Sequence, residues 1–299
     1  MTGRTSAVEA GVDDRATWTP VDDLEARAAQ LRTLVLEMVW CAGSGHPGAS
    51  FSAADIVAAL YFDVLRHRPD DPRWAGRDRF LLSKGHAVPV VYAALAASGY
   101  FPLDELRTLR RPGSRLPGHP DVSRRTPGIE MSSGSLGQGV SFGIGVAQAA
   151  RIRGLDHRTF VLVGDGECNE GQVWEAALLA PHWGLDRLTV VVDRNDAAVE
   201  GPRGPISPLG DLAAKWRSFG WAVEQIDGHR MPEVQEALRS AGTRRDGKPT
   251  AIIATTRKGH GLSIIEQSPT YHADPLPDEA LRQAIATLSP TGSSYLDVP

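Results

Sequence analysis

Asp165 and Asn195 stand where a cation could be held. Phe160-Val161-Leu162-Val163 leads into Gly164-Asp165-Gly166, and the apolar run from Leu188 to Val192 leads into Asp193-Arg194-Asn195. Between them Gln172 to Ala180 reads as a helix, so the stretch is a strand–helix–strand unit whose strand ends share one rim of a parallel sheet. One carboxylate and one amide oxygen, with glycines that let a ligand approach the backbone, suit Mg²⁺ or Ca²⁺ clamped on a diphosphate. Four other loop segments carry a histidine: Ser44-Gly45-His46-Pro47-Gly48, Ser83-Lys84-Gly85-His86, Pro117-Gly118-His119-Pro120 and Tyr271-His272. Histidine exchanges protons near neutral pH, and flanking glycines admit a ligand closely. Any one of them alone reads more readily as structural or merely exposed. Beside Gly134-Ser135-Leu136-Gly137-Gln138-Gly139 and the Gly-Asp-Gly turn, they describe a site.

Those side chains need elements to place them. Apolar spacing predicts a helix over Leu24 to Trp40, and Ser52 reads as the cap of a second, Ala53 to Arg66. Phe80-Leu81-Leu82 is a short buried strand, followed by a helix from Val88 to Ser98. Arg110 to Gly128, rich in Pro, Gly and Arg, reads as an ordered loop, and Gly139 to Arg153 as a close-packing helix. After Asn195 come a loop (Gly201 to Leu209), a helix (Leu212 to Phe219), a strand (Ala222 to Ile226), a helix (Pro232 to Ala241) and a strand (Thr250 to Thr255). Strands alternating with helices predict an α/β fold, a parallel sheet with helices on both faces. The expected organisation is a mobile N-terminal tail over residues 1–22, one domain over 23–290 and a C-terminal tail over 291–299.

The 299 residues are 41% hydrophobic and 23% charged, values of a soluble globular protein. A net charge of −4 gives no electrostatic reason to expect nucleic acid or an anionic membrane. No apolar run approaches the length of a membrane span, and the polar, acidic first twenty residues are unlike a signal peptide. Two cysteines, Cys41 and Cys168, make no disulfide framework, so the expected location is cytoplasmic.

The chain resembles transketolase, in its N-terminal, diphosphate-binding domain. The matches are Ser44 to Gly48, Asp78-Arg79-Phe80 with Ser83 to His86, Gly118-His119-Pro120, Gly134 to Gly139, Gly164-Asp165-Gly166 with Glu170-Gly171, Asn195, Phe219-Gly220-Trp221, Asp227-Gly228-His229 and His272. They keep the family's order over about residues 25 to 280. The resemblance implies thiamine diphosphate as cofactor, with Asp165, Asn195 and the Ala197 carbonyl as metal ligands. Gly164, Gly166 and Glu167 would line the diphosphate and pyrimidine side, and His86 and His272 would contact the diphosphate, His272 also facing the reacting carbon. Gly134, Ser135 and Leu136 would touch the aminopyrimidine. His46 and His119 would donate to substrate hydroxyls or the developing alkoxide, and Glu170 would bridge two cofactor sites across a subunit interface.

The resemblance also implies a partner. In this family a second, pyrimidine-binding domain of the neighbouring subunit supplies the glutamate that activates the cofactor. Only 104 residues follow Asn195, too few for a further domain of ~150 residues. The expectation is one half of a split transketolase, inactive alone and paired with a separate pyrimidine-domain chain as a heterotetramer, acting on a ketose phosphate or related donor. Two alternatives stay open: a thiamine-dependent component of a 2-oxo acid dehydrogenase or of a system with a carrier-protein acceptor, and a cofactor-free scaffold subunit. The chain departs from the family at Asp196 and Ala197, where glycine and a larger aliphatic residue are usual, at Thr255 and at Tyr271-His272-Ala273. Bland readings stand beside the sharp ones: Gly-Asp-Gly as a tight turn, Glu170 as an acid favoured by a helix N-terminus, Trp174 and Met38 as core or interface. Lys84 and Arg115 are open between phosphate contact and solvated charge, and His229 between helix cap and ligand contact. His67, His157, His182 and His260 are unassigned.

Overall fold

Phe160–Val163, Val190–Val192 and Ala251–Ala254 are apolar runs in the central strands, the pattern of a parallel sheet covered on both faces. The computed structural model describes residues 18–198, 201–202, 209–266, 275–289 and 291–298. In it β1 (Arg79–Leu82), β2 (Thr159–Gly164) and β3 (Leu188–Arg194) are followed by a small antiparallel ribbon, β4 (Ala197–Ala198) with β5 (Gly201–Pro202), and then by β6 (Ala222–Asp227) and β7 (Thr250–Thr255). Five of these form one parallel sheet in the order β1-β2-β3-β7-β6. Parallel strands need crossovers, and helices provide them: α1 (Val21–Ala42), α2 (Pro47–Ser52), α3 (Ala54–Ala59), α4 (Val88–Ala97), α5 (Gly139–Ile152), α6 (Gly171–His182), α7 (Leu212–Ser218), α8 (Met231–Thr243), α9 (Ser263–Glu266) and α10 (Asp278–Leu288).

The sheet separates two apolar cores. Phe160 and Leu162 of β2 face α1, α3, α4, α8 and α10, while Val161 and Val163 face α5, α6 and α7. That two-residue alternation is the strand period, and both registers are apolar because both faces are covered. Each fully buried Leu, Val or Phe contributes about 1.5–3 kcal/mol of transfer free energy.

Three sequence expectations change. Ser52 does not cap a single long helix: the chain turns at Ala53, and α3 passes into a wider π turn over Leu60–Val64. The Ser52 hydroxyl is buried and donates to Asp193 at 2.6 Å, because a buried carboxylate needs donors more than a helix end does. Residues 18–22, placed in the N-terminal tail, are docked: Thr19 donates its N–H to Asp63 at 2.8 Å and its hydroxyl to the Phe62 carbonyl at 3.0 Å. Residues 1–17 lie outside the described residues. The 291–298 segment lies back on α1, where the Tyr295 N–H donates to Glu37 at 2.8 Å and Leu296 is fully buried. α10 has no counterpart in the sequence expectation. Among the described residues no helix is long and apolar enough to cross a membrane.

Candidate active site

Because the five strands are parallel, their C-terminal ends meet at one rim, where α/β sheets hold ligands. β1 opens into Ser83-Lys84-Gly85-His86, β2 into Asp165 to Glu167, β3 into Asn195, and β7 into Thr256-Arg257-Lys258. Gly164 and Asp193 are register partners, so Asp165 and Asn195 leave adjacent strands at nearly the same level. Asp165 is 2% exposed. One of its carboxylate oxygens accepts the Gly166 N–H at 2.7 Å, and the other accepts the Asp196 N–H at 2.8 Å. A carboxylate oriented by backbone donors, with an asparagine following the end of the adjacent strand, offers oxygen donors of the kind a hard divalent cation takes. Asp196 itself has φ of +49°, a left-handed conformation that explains why glycine suits this position and why aspartate is tolerated there. Ala197 opens β4, paired with Pro202.

Glu167 ties three segments together. One of its oxygens accepts the Ser83 hydroxyl at 2.6 Å and the Gly137 N–H at 2.9 Å; the other accepts the Gly164 N–H at 2.9 Å. Burial pushes its carboxyl up, and these donors only partly offset that. The hydrogen bonds seen at Glu167 thus fasten the loops together, a positioning task the sequence reading did not give it. Gly85 makes the approach of these loops feasible: a Cβ there would lie 2.6 Å from the Ser133 Oγ and 2.9 Å from its carbonyl carbon. Gly134, Ser135 and Leu136 follow this junction, and all three are exposed.

Three loop histidines converge. His46, at the start of α2, lies with its ring 5.4 Å from His86 and 6.2 Å from His119, both edge to face. Burial and the nearby Arg110 lower the pKa of His119, which favours a neutral imidazole at pH 7, able to donate or accept. Glu170 is exposed at the N-terminus of α6 and packs on Gly137. His272 lies outside the described residues.

Several charges were placed less well by sequence. Lys84 is not solvated: it is 2% exposed, ion-paired with the fully buried Asp193, and donates to the Ala49 carbonyl at 2.9 Å. Asp193 also accepts from Ser52 and Thr256, and burial of its charge is outweighed by Lys84, so its carboxyl stays low. Arg115 pairs with Glu105 at 2.6 Å. The His229 ring is no helix cap; it reaches Asp55 at 2.8 Å. Trp174 donates to the Cys168 carbonyl and stacks on Phe219, a packing role. The sequence reading missed Lys258 altogether. Its stem lies over Gly48, two residues after His46, and burial with the charge of Lys84 lowers its pKa. The available signal was Lys-Gly-His after a strand, which occurs at 258–260 just as at 84–86.

Residues 24–291 match the family described as transketolase, thiamine diphosphate binding domain. The chain belongs to the transketolase family. It is 44% identical over 271 residues to the 6-deoxy-6-sulfo-D-fructose transketolase subunit SqwG of Clostridium sp. (strain MSTE9), covering 91% of this chain and 98% of that one. It is 36% identical to one of the apulose-4-phosphate transketolase subunits of Phocaeicola vulgatus, covering 90% and 95%. Among solved transketolases, that of Campylobacter jejuni superposes with a TM-score of 0.86 at 34% identity, over 94% of this chain and 45% of that one. The chain therefore spans less than half of that transketolase and nearly all of the two subunits. The five-stranded parallel sheet with helices on both faces is the fold expected of the domain.

Proposed function

We propose that this chain is the thiamine diphosphate-binding subunit of a two-chain transketolase in the cytoplasm, moving a two-carbon ketol unit from an anionic ketose donor to an acceptor. The reading is supported by two observations: Asp165 and Asn195 follow the ends of adjacent strands, and His86, in the loop after β1 at the same rim, has its ring close to that of His46, which in turn lies near His119. Asp165, Asn195 and the Ala197 carbonyl would hold Mg²⁺ or Ca²⁺ and, through it, the diphosphate; His86, His272 and Lys258 would add donors to the same group. When bound, thiamine diphosphate supplies the carbon nucleophile and the electron sink that cleavage beside a ketone requires.

The protein's own tasks are orientation and proton handling. His46 and His119 would donate to the substrate hydroxyls and to the oxygen that gains charge as the carbonyl is attacked. A neutral His119 can also take a hydroxyl proton. The Gly134-Ser135-Leu136 loop would face the aminopyrimidine, and Glu170 would reach the second site across an interface. Phe142 on α5 and Leu178 on α6 are 52% and 65% exposed, as a surface covered by a partner chain would be. Support for a separate pyrimidine-domain partner comes from the two relatives of nearly this length, both named as subunits. Their names also favour a ketose bearing a sulfo or phosphate group as donor. Reconstituting the chain with its partner tests this. Xylulose 5-phosphate or 6-deoxy-6-sulfofructose with an aldose phosphate acceptor should turn over, while either chain alone should not. Turnover only with pyruvate and a carrier-protein acceptor, or turnover by this chain unaided, would contradict it.

A further inference from the structure

Asp55, His229 and His260 place ligand atoms within 4.8 Å of one another, a spacing that invites a metal. The surrounding charges reject one. Both Asp55 oxygens accept from the Arg32 guanidinium, at 2.5 and 3.1 Å, and one also accepts from His229 Nδ1 at 2.8 Å. His260 Nδ1 lies 2.8 Å from the Arg257 guanidinium. A cation here would sit between two guanidiniums, which repel it.

What the cluster does fix is a ring. Asp55, Arg32 and His229 have side chains no more than 9% exposed. Burial opposes the Asp55 charge, but Arg32 and His229 outweigh it and hold the carboxyl low, so Asp55 accepts the proton of Nδ1. Nε2 is thereby left as an acceptor, and it takes the backbone N–H of Arg257 at 2.8 Å. The His229 ring also stacks on His260 at 3.6 Å, which fixes its plane. Arg257 lies in the loop after β7, and two residues on the Gly259 N–H donates to the Gly48 carbonyl at 3.0 Å. Lys258 lies between these two anchors, over the first turn of α2 that starts at His46.

On the functional reading above, we propose that His229 is a positioning residue for the diphosphate: oriented by the Arg32–Asp55 pair, it pins the loop after β7 so that the Lys258 ammonium is held beside α2. Asparagine at 229 keeps a donor near the Nδ1 position and loses the acceptor for Arg257, whereas glutamine can restore that acceptor. The test is isothermal titration of the reconstituted enzyme with thiamine diphosphate at fixed Mg²⁺, with circular dichroism and unfolding midpoints recorded for each variant. Lys258→Met and His229→Asn should each weaken binding by about tenfold, the scale of one lost hydrogen bond or charge contact, and His229→Gln should recover most of it. The double variant should bind no worse than Lys258→Met, because His229 acts through Lys258. Asp55→Asn provides a second route to the same loss should His229→Asn fail to fold, and it too should add nothing in the Lys258→Met background. Additive losses, or His229 and Asp55 variants that bind like the wild type, would overturn the proposal and leave the functional reading intact. Failure of the wild-type enzyme to bind thiamine diphosphate would overturn both.

Discussion

Lys84 and Asp193 show how a single pair can hold a rim in place. Lys84 is 2% exposed and Asp193 fully buried, so neither charge can be left without the other. Removing one partner of a buried pair strands the remaining charge in a medium that solvates it poorly, at a cost of about 3–5 kcal/mol. Asp193→Ala should lower the unfolding free energy by that amount in urea titrations, and Lys84→Met in the same chain should restore part of it. Sequence reading found Asp165, Asn195 and the loop histidines because their signal is local, a polar residue near glycine or at the end of an apolar run. It could not place Lys84 or His229. Their partners lie 109 and 174 residues away, and local pattern carries no record of a contact at that separation. The Ser-Lys-Gly-His segment showed that a lysine was near the site but not that it points inward.

The elements were legible for the same reason that they form. Strands buried on both faces are continuous apolar runs, and amphipathic helices repeat near 3.6 residues, so β2, β3, β7, α5 and α8 follow from pattern alone. α10 was passed over although its buried Leu281, Ala284 and Ile285 keep helical spacing; they pack in the same core as α1. The join between α2 and α3 was missed because Ser52 has the chemistry of a cap but is drawn inward by Asp193. A tight junction between elements is the seat of Gly85 on Ser133. A methyl group there must displace backbone, so Gly85→Ala should destabilise the fold by about 1–3 kcal/mol, the usual cost of overpacking. It should also weaken cofactor binding, since His86 and Gly134 would be pushed apart. Urea unfolding and a cofactor titration of one purified variant check both effects.

For the molecule as a whole, a set of buried carboxylates sets the acid limit. Asp55, Asp63, Asp78 and Asp193 each resist burial through paired cations, Arg32, Arg239, Arg158 with Arg66, and Lys84, and their pKa values fall below the ordinary aspartate value. In the unfolded chain these groups take up protons as the pH drops through about 4, while the folded state still excludes them. Stability is therefore full above that pH and declines below it, and Asp78→Asn should flatten the decline in unfolding experiments run at successive pH values. The central proposal is that the ends of β2 and β3 grip a divalent ion and through it a diphosphate. Titration of the reconstituted pair with thiamine diphosphate, with and without Mg²⁺, tests this most directly when wild type is compared with Asp165→Ala. The wild type should bind saturably only with the metal, and Asp165→Ala should lose that binding. An Asp165→Ala enzyme with unchanged, metal-dependent affinity would contradict the account.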